Sequence, residues 1–206
     1  MPILCHAPGT CSMGIHVILE EIGKPFEVRK IDFPNQAQYK PEFTAINPKS
    51  KVPTLIRDDG SVLTEWPAIA MYLALTNPEK KLVPTDIEGM VRAQEAMAYC
   101  TATLHMQGWT RIWRTVTYSE IETEHAKIKA RGKDILDKGL ALFEKQLAGK
   151  DWVLGDFSIA DCALYFIEVW LVERGKFTLP ANVAAHYERM KKRPSVQASR
   201  KYDGLA

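Results

Sequence analysis

Val52-Pro53-Thr54-Leu55-Ile56-Arg57-Asp58-Asp59-Gly60-Ser61-Val62-Leu63-Thr64-Glu65-Trp66-Pro67 carries the punctuation of a hairpin that runs into a helix. Two short β-type runs, Val52 to Ile56 and Ser61 to Leu63, flank Asp58-Asp59-Gly60, a turn signal because Asp and Gly tolerate positive φ. Pro67 suits the first turn of a helix, where its missing N–H costs nothing, and the apolar stretch Ala68 to Leu75 carries that helix on. Upstream, Phe26-Glu27-Val28-Arg29-Lys30-Ile31 alternates apolar and polar, as a half-buried strand does. Met13 to Ile22 places Ile15, Ile18, Leu19 and Ile22 at helical spacing and stops at Gly23, with Pro25 beyond. Together with a first strand around Cys5 and His6, these elements predict a small α/β unit with a mixed four-stranded sheet over residues 1–80.

The second part of the chain reads differently. From Thr85 onward no strand pattern occurs, and Met90, Ala93, Met97, Cys100 and Leu104 recur at spacings of three and four, a helical core stripe. Ile128, Ile135, Leu142 and Phe143 mark another long helix that closes near Gly149. Ser158-Ile159-Ala160-Asp161 opens a strongly apolar helix reaching Arg174, with Ser158 and Asp161 in a capping-box arrangement. So apolar a helix belongs in the centre of a bundle. Asn77 to Asp86, with Pro78 and Pro84, reads as the linker, and residues 86–206 as an all-helical domain.

Composition narrows the functions. The chain has 206 residues, 27 basic against 25 acidic, and a net charge of +2, so it lacks the clustered basic face of a nucleic-acid binder. Lys191-Lys192-Arg193 with Arg200-Lys201 reads as a solvated helix end. The longest apolar stretch, Ala68 to Leu75, is far short of the roughly 20 residues a membrane span needs. The N-terminal Met1-Pro2-Ile3-Leu4 has no basic-then-apolar leader, so the expectation is a cytoplasmic protein. Cys5, Cys11, Cys100 and Cys162 are scattered, which argues against structural disulfides and against a zinc site.

Four motifs stand in order along the chain. Pro8-Gly9-Thr10-Cys11-Ser12 precedes the first helix, and Ala45-Ile46-Asn47-Pro48-Lys49-Ser50-Lys51-Val52-Pro53-Thr54-Leu55 holds a Val-Pro step entering a strand. Leu63-Thr64-Glu65 runs into Ala68-Ile69-Ala70-Met71-Tyr72-Leu73, and Phe157-Ser158-Ile159-Ala160-Asp161 opens the buried helix. In this arrangement the chain resembles the glutathione transferases, and the bacterial beta class in particular. That class carries a cysteine at the start of the first helix and a histidine in the first long helix of the second domain, here Cys11 and His105. The resemblance implies a thioredoxin-like domain that binds glutathione, followed by a helical domain that carries the second-substrate pocket, in a homodimer without metal.

Each site residue has a physical reading beside the resemblance. Cys11 lies just before a helix N-terminus, where unpaired amides and the dipole lower a thiol pKa. The resemblance implies a cis Val52-Pro53 bond, with the Val52 backbone pairing with the cysteinyl part of glutathione as an added strand. It also sets the γ-glutamyl carboxylate at the helix start at Glu65 and Trp66, with Glu65 facing the α-ammonium group. Three departures stand out. Trp66 occupies a position usually held by Ser, so only its backbone N–H is left as donor, and a hydroxyl there is expected to tighten binding. No lysine lies between Ile31 and Tyr39, where Gln36 or Gln38 would substitute, and Ala98 stands where the class often has Asn. The resemblance also implies that the Cys5 thiol borders the site.

Ala98, Thr101, Ala102, His105 and Trp109 fall on one α-helical face. Trp109 and Trp113 are the candidates to line the second-substrate pocket, and aromatic packing at the bundle edge is the other reading of them. The resemblance implies transfer of a glutathione thiolate to a hydrophobic electrophile, with Cys11 and His105 catalytic and His105 close to Cys11 and the glutathione sulfur. A cysteine is a poor hydrogen-bond donor, so weak conjugation with Cys11-dependent thiol–disulfide or peroxide chemistry is expected. The alternative is a non-catalytic binding protein on the same scaffold.

Overall fold

The computed structural model describes residues 1–205, and its first unit is a four-stranded sheet with helices. In chain order these elements are β1 (Ile3–His6), α1 (Ser12–Ile22), β2 (Glu27–Lys30), α2 (Pro41–Thr44), β3 (Thr54–Ile56), β4 (Val62–Thr64) and α3 (Trp66–Leu75). The sheet order is β2-β1-β3-β4, with β1 parallel to β2 and antiparallel to β3, and β3 antiparallel to β4. A parallel β1–β2 pair needs a crossover, which α1 provides. The β3–β4 turn closes where expected: Arg57 N–H donates to Ser61 O at 2.8 Å, and Gly60 takes φ 81°. Leu4 and Leu55 on the sheet, Ile15 and Ile18 on α1 and Ile69 on α3 are fully buried and form the core of this unit. Each such side chain contributes about 1.5–3 kcal/mol by burial.

Compact packing divides the chain into Met1–Thr85 together with the residues from Met190 on, and Asp86–Arg189. The C-terminal segment therefore leaves the helical part with which its sequence pattern groups it. Its helix α9 (Pro194–Asp203) packs along α1, which explains why Ser12 to Leu19 are all buried. The basic end expected to be solvated is partly an anchor. Arg193 donates from Nε and Nη2 to the Glu21 carboxylate at 2.7 and 2.9 Å, and Ser195 adds a third bond at 2.5 Å. Burial alone would raise the Glu21 pKa, but these donors outweigh it and hold the carboxyl below its ordinary range.

The second unit is helical. It begins with α4 (Ile87–Ala98), capped by Asp86, whose carboxylate accepts from Gly89 N–H at 2.8 Å. The helix then widens into a π-helix over Tyr99–Trp109 before returning to α5 (Thr110–Trp113). Next come α6 (His125–Gln146) and α7 (Ile159–Val169), which ends in a second π-helical segment, Trp170–Arg174. The last helix, α8 (Ala181–Lys191), follows. The wider winding breaks the single face expected from Ala98 to Trp109: Ala102 is exposed, His105 half-buried and Trp109 only 3% exposed. Among the described residues no helix is long and apolar enough to cross a membrane.

Small residues set how closely α6 approaches the π-helix. A Cβ on Gly132 would lie 2.7 Å from the Gly108 carbonyl oxygen and 2.8 Å from Arg111 Cβ, and neither can be moved without moving backbone. Gly132→Ala is therefore expected to destabilise the protein by about 1–3 kcal/mol, although alanine is the better helix former. A denaturant midpoint that rises in Gly132→Ala would show that the two helices have room to part.

Candidate active site

Cys11 sits at the N-terminal boundary of α1 with helical φ and ψ already, and its side chain makes no capping hydrogen bond. Its Sγ lies 3.6 Å from the carbonyl oxygen of Val52, and the Val52–Pro53 bond is cis. Trp66, the first residue of α3, is 4% exposed, and its indole Nε1–H donates to the Cys11 carbonyl oxygen at 2.9 Å. One cluster thus joins Cys11, the Val52–Pro53 step and the start of α3. The residue that in the sequence stood out for a missing hydroxyl donor is a strut between two parts of the site. Its loss removes packing and a hydrogen bond, which reverses the expectation that a hydroxyl at position 66 helps.

Glu65 precedes α3 with φ 72° and ψ 124°, a backbone conformation that L-residues rarely adopt. Its carboxylate accepts from Lys49 Nζ at 2.7 Å, and the same ammonium donates to Thr64 Oγ1 at 2.9 Å. The carboxylate is exposed, at the lip of the cluster. Gln38 is 9% exposed with an amide oxygen that has no partner, while Gln36 is exposed and takes φ 53°. The cation whose field reaches Cys11 is Lys51, which the sequence did not single out.

Electrostatics at Cys11 run against the expectation of an activated thiol. Burial is the largest influence and pushes the thiol up to about 12, against the lowering effects of a backbone hydrogen bond and of Lys51. Glu65 adds a smaller push upward. The group is a neutral thiol at pH 7, and its S–H donates to the Val52 carbonyl oxygen. Cys5 lies behind this site, in a cluster against which Val52 packs. It is fully buried in a hydrophobic cluster with Ile31 and Phe43, and burial raises its pKa as well.

The loop before Cys11 is held from beneath by residues that sequence patterns do not mark. His6 Nε2 lies 2.6 Å from Asp203 Oδ1, His6 Nδ1 lies 2.8 Å from Ser12 Oγ, and Gly9 N–H donates to Asp203 Oδ2 at 3.0 Å. The Ser12, His6 and Asp203 side chains are all buried, so this chain anchors the loop and presents no nucleophile to solvent. Nothing in the tail around Asp203 signals the role, because the pairing spans nearly the whole chain.

His105, Trp109 and Trp113 lie in the second unit. The His105 ring stands edge-on to Trp170, with centroids 4.6 Å apart, and to Phe166 at 5.9 Å. Trp109 is stacked between Trp113 (5.5 Å, 13°) and Trp170 (5.9 Å, 15°). The Arg174 guanidinium lies 5.4 Å over the outer Trp113 ring, which is 55% exposed. Trp109 is thus buried inside an aromatic column, and of the two assigned tryptophans only Trp113 offers surface. Among the described residues no group of three or more His, Cys, Asp or Glu is arranged to hold a metal ion.

Comparison with known proteins gives one answer along the whole chain. A family model for the glutathione S-transferase N-terminal domain matches residues 9–76, and one for the C-terminal domain matches residues 126–189. Glutathione S-transferase GstA of Escherichia coli O157:H7 is 32% identical over 207 residues, covering 98% of each chain. A glutathione transferase homolog from Sulfitobacter, solved with bound glutathione, superposes with a TM-score of 0.88 at 29% identity, over 100% of this chain and 99% of that one. The bacterial beta class glutathione S-transferase of Sphingomonas chungbukensis gives 0.83 at 28% identity, over 99% and 100%. From its sheet order and Cys11 cluster to these matches over both parts of the chain, the protein belongs to the glutathione S-transferase family.

Proposed function

We propose that this protein transfers the glutathione thiolate to a hydrophobic electrophile, with glutathione seated in the first unit. The γ-glutamyl carboxylate takes the first turn of α3 beside Glu65, and the cysteinyl backbone pairs with Val52 as a short added strand. The observation that carries this reading is the cluster of Cys11 Sγ, the Val52 carbonyl at 3.6 Å and the Trp66 indole on the Cys11 carbonyl at 2.9 Å. It sets an S–H donor between a strand edge and a helix N-terminus. When glutathione binds, the neutral Cys11 thiol turns its S–H from the Val52 carbonyl to the glutathione sulfur and stabilises its thiolate, which lowers the barrier to attack on an electrophilic carbon. His105 is the second proposed catalytic residue, and Trp113, with Trp109 behind it, lines the second-substrate pocket. A homodimer in the cytoplasm completes the proposal. The reducing environment there suits four free cysteines.

Cys11 also exchanges with oxidised glutathione. The Cys11 thiolate attacks one sulfur of the disulfide, the S–S bond breaks, and one glutathione leaves as a thiolate that takes a proton from water. With its thiol pushed up to about 12, the reactive fraction grows about tenfold per pH unit through the neutral range. The adduction rate is therefore expected to climb without a plateau from about pH 7 to pH 9. A plateau below about pH 8 would mean that Cys11 is an activated thiolate. Retention on immobilised glutathione, with turnover of 1-chloro-2,4-dinitrobenzene, tests the main reading. No retention and no turnover would favour a scaffold that has lost the activity.

A further inference from the structure

Lys49 and Glu65 stand side by side at the lip of the Cys11 cluster, and each has a bonding position left over. Lys49 Nζ donates to Glu65 Oε1 at 2.7 Å and to Thr64 Oγ1 at 2.9 Å. An ammonium carries three N–H donors, so one remains. Glu65 engages only its Oε1 among the described residues, so Oε2 remains as an acceptor. The two side chains are 51% and 64% exposed, which leaves the spare donor and acceptor open to solvent. The pair is also fixed in place. Asn47, 1% exposed, accepts from Lys49 N–H at 3.0 Å and donates from Nδ2 to Lys51 O and Thr54 Oγ1, at 2.8 Å each. That ties the Lys49 backbone to the start of β3, while Glu65 holds its positive φ at the start of α3.

A surface ion pair of this kind adds little to stability. What it offers is a pattern of charge: one cation and one anion a hydrogen bond apart, each with an unused bonding position. The α-carbon of an amino acid carries the complementary pair, an ammonium and a carboxylate on one atom. Glu65 Oε2 can take the ammonium and Lys49 the carboxylate while the Lys49–Glu65 bond stays intact, so that charges alternate around the four groups. The start of α3 is short of other donors for such a carboxylate. Pro67 has no N–H, no side chain caps the helix, and the Trp66 indole is engaged by the Cys11 carbonyl.

We infer that Lys49 is a specificity-determining residue for glutathione, its third N–H taking the α-carboxylate of the γ-glutamyl group beside the ammonium on Glu65. The inference rests on the reading that glutathione sits in the first unit with its γ-glutamyl end at α3. It adds a cation to a carboxylate site otherwise built from backbone amides. The feature selected is then the free amino-acid end of the peptide, and thiol peptides whose α-carboxylate is missing or blocked are disfavoured.

Calorimetric titration of the full chain with S-methylglutathione, and with S-methyl-(γ-aminobutyryl)cysteinylglycine, tests it. The second ligand lacks only the α-carboxylate, and neither thioether can exchange with Cys11. Lys49→Met is expected to bind S-methylglutathione about fivefold or more weakly than wild type does, and the second ligand within about 1.5-fold of wild type. Two results would overturn the inference and leave the seating of glutathione standing. One is S-methylglutathione bound equally or more tightly by Lys49→Met, which would make the lysine a rival of the ligand's ammonium for Glu65. The other is an equal loss of affinity for both ligands, which would trace the effect to the loop and not to the carboxylate. No binding of S-methylglutathione by wild type at about 10 mM would overturn the seating of glutathione itself, and this inference with it.

Discussion

His186→Phe is expected to lower stability at pH 7 by about 3–5 kcal/mol, because it strips the cation from a buried pair of carboxylates. His186 Nδ1 lies 2.8 Å from Glu168 Oε1 and Nε2 lies 3.1 Å from Asp161 Oδ1, and all three side chains are fully buried. Burial by itself would lower the imidazole pKa, but Glu168 and Asp161 outweigh it and push it up to about 10. Asp161 keeps other donors: Val153 N–H and Ser158 N–H at 2.8 Å each, and Ser158 Oγ at 3.1 Å. Glu168, by contrast, has a second oxygen with no partner, and burial raises its pKa. Without His186 it must take a proton or remain an unpaired buried charge. Restoring an apolar interior with His186→Phe plus Glu168→Met should recover much of the loss.

The sign of the pH dependence follows from the same group. A histidine whose folded pKa stands above its unfolded value stabilises fully below about pH 6.5, and that stability is lost as pH rises toward 10. Between about pH 7 and pH 8.5, before buried thiols begin to contribute, wild type is expected to lose about 1.4 kcal/mol per pH unit at most. His186→Phe should lose little over that window. His16 acts in the opposite direction. Burial, with His6 second, depresses it to about 4, so its contribution is present above about pH 6.5 and is lost as pH falls through 4. A stability maximum near pH 6.5 is the combined expectation, and denaturant midpoints across the range measure it. Equal slopes for wild type and His186→Phe between pH 7 and pH 8.5 would remove His186 from the account.

Trp66→Ser is expected to cost about 3–5 kcal/mol, as large-to-small changes of a buried aromatic do, and to weaken glutathione binding at least about tenfold. The indole is 4% exposed and ties the start of α3 to the Cys11 carbonyl. Trp66→Phe keeps most of the volume and loses only the N–H. The Cys11 carbonyl still accepts from Gly14 N–H at 3.2 Å, so the stability cost should be only about 0.5–1.5 kcal/mol. Tighter glutathione binding in Trp66→Ser, read by calorimetry on folded protein, would show that the missing hydroxyl outweighs the indole strut.

Much of the fold was legible because it rests on local signals. Gly23 ends α1 with φ 69°, Gly60 turns the hairpin, and Ser158 with Asp161 caps α7, each by the chemistry its sequence position suggests. The cap proved more than a local device: Asp161 also faces His186, from another helix, so its removal should exceed the 0.5–2 kcal/mol of an ordinary cap. The π-helical winding at Tyr99–Trp109 was not legible, since an apolar stripe of threes and fours looks the same until the turn widens. Site chemistry divided along similar lines. The position of Cys11 at the start of α1 follows from local pattern, but its protonation depends on burial that a sequence does not display. Arg193, Asp203 and the Trp66 indole act across 55 to 197 residues of chain, where no spacing rule reaches.

The central claim is that glutathione sulfur meets Cys11 Sγ. Incubation with oxidised glutathione, followed by intact-protein and peptide-level mass measurement, tests this most directly. A single glutathionyl adduct is expected on the Cys11 peptide of wild type and none on Cys11→Ala. An adduct that persists in Cys11→Ala, or that maps to Cys5, would contradict it.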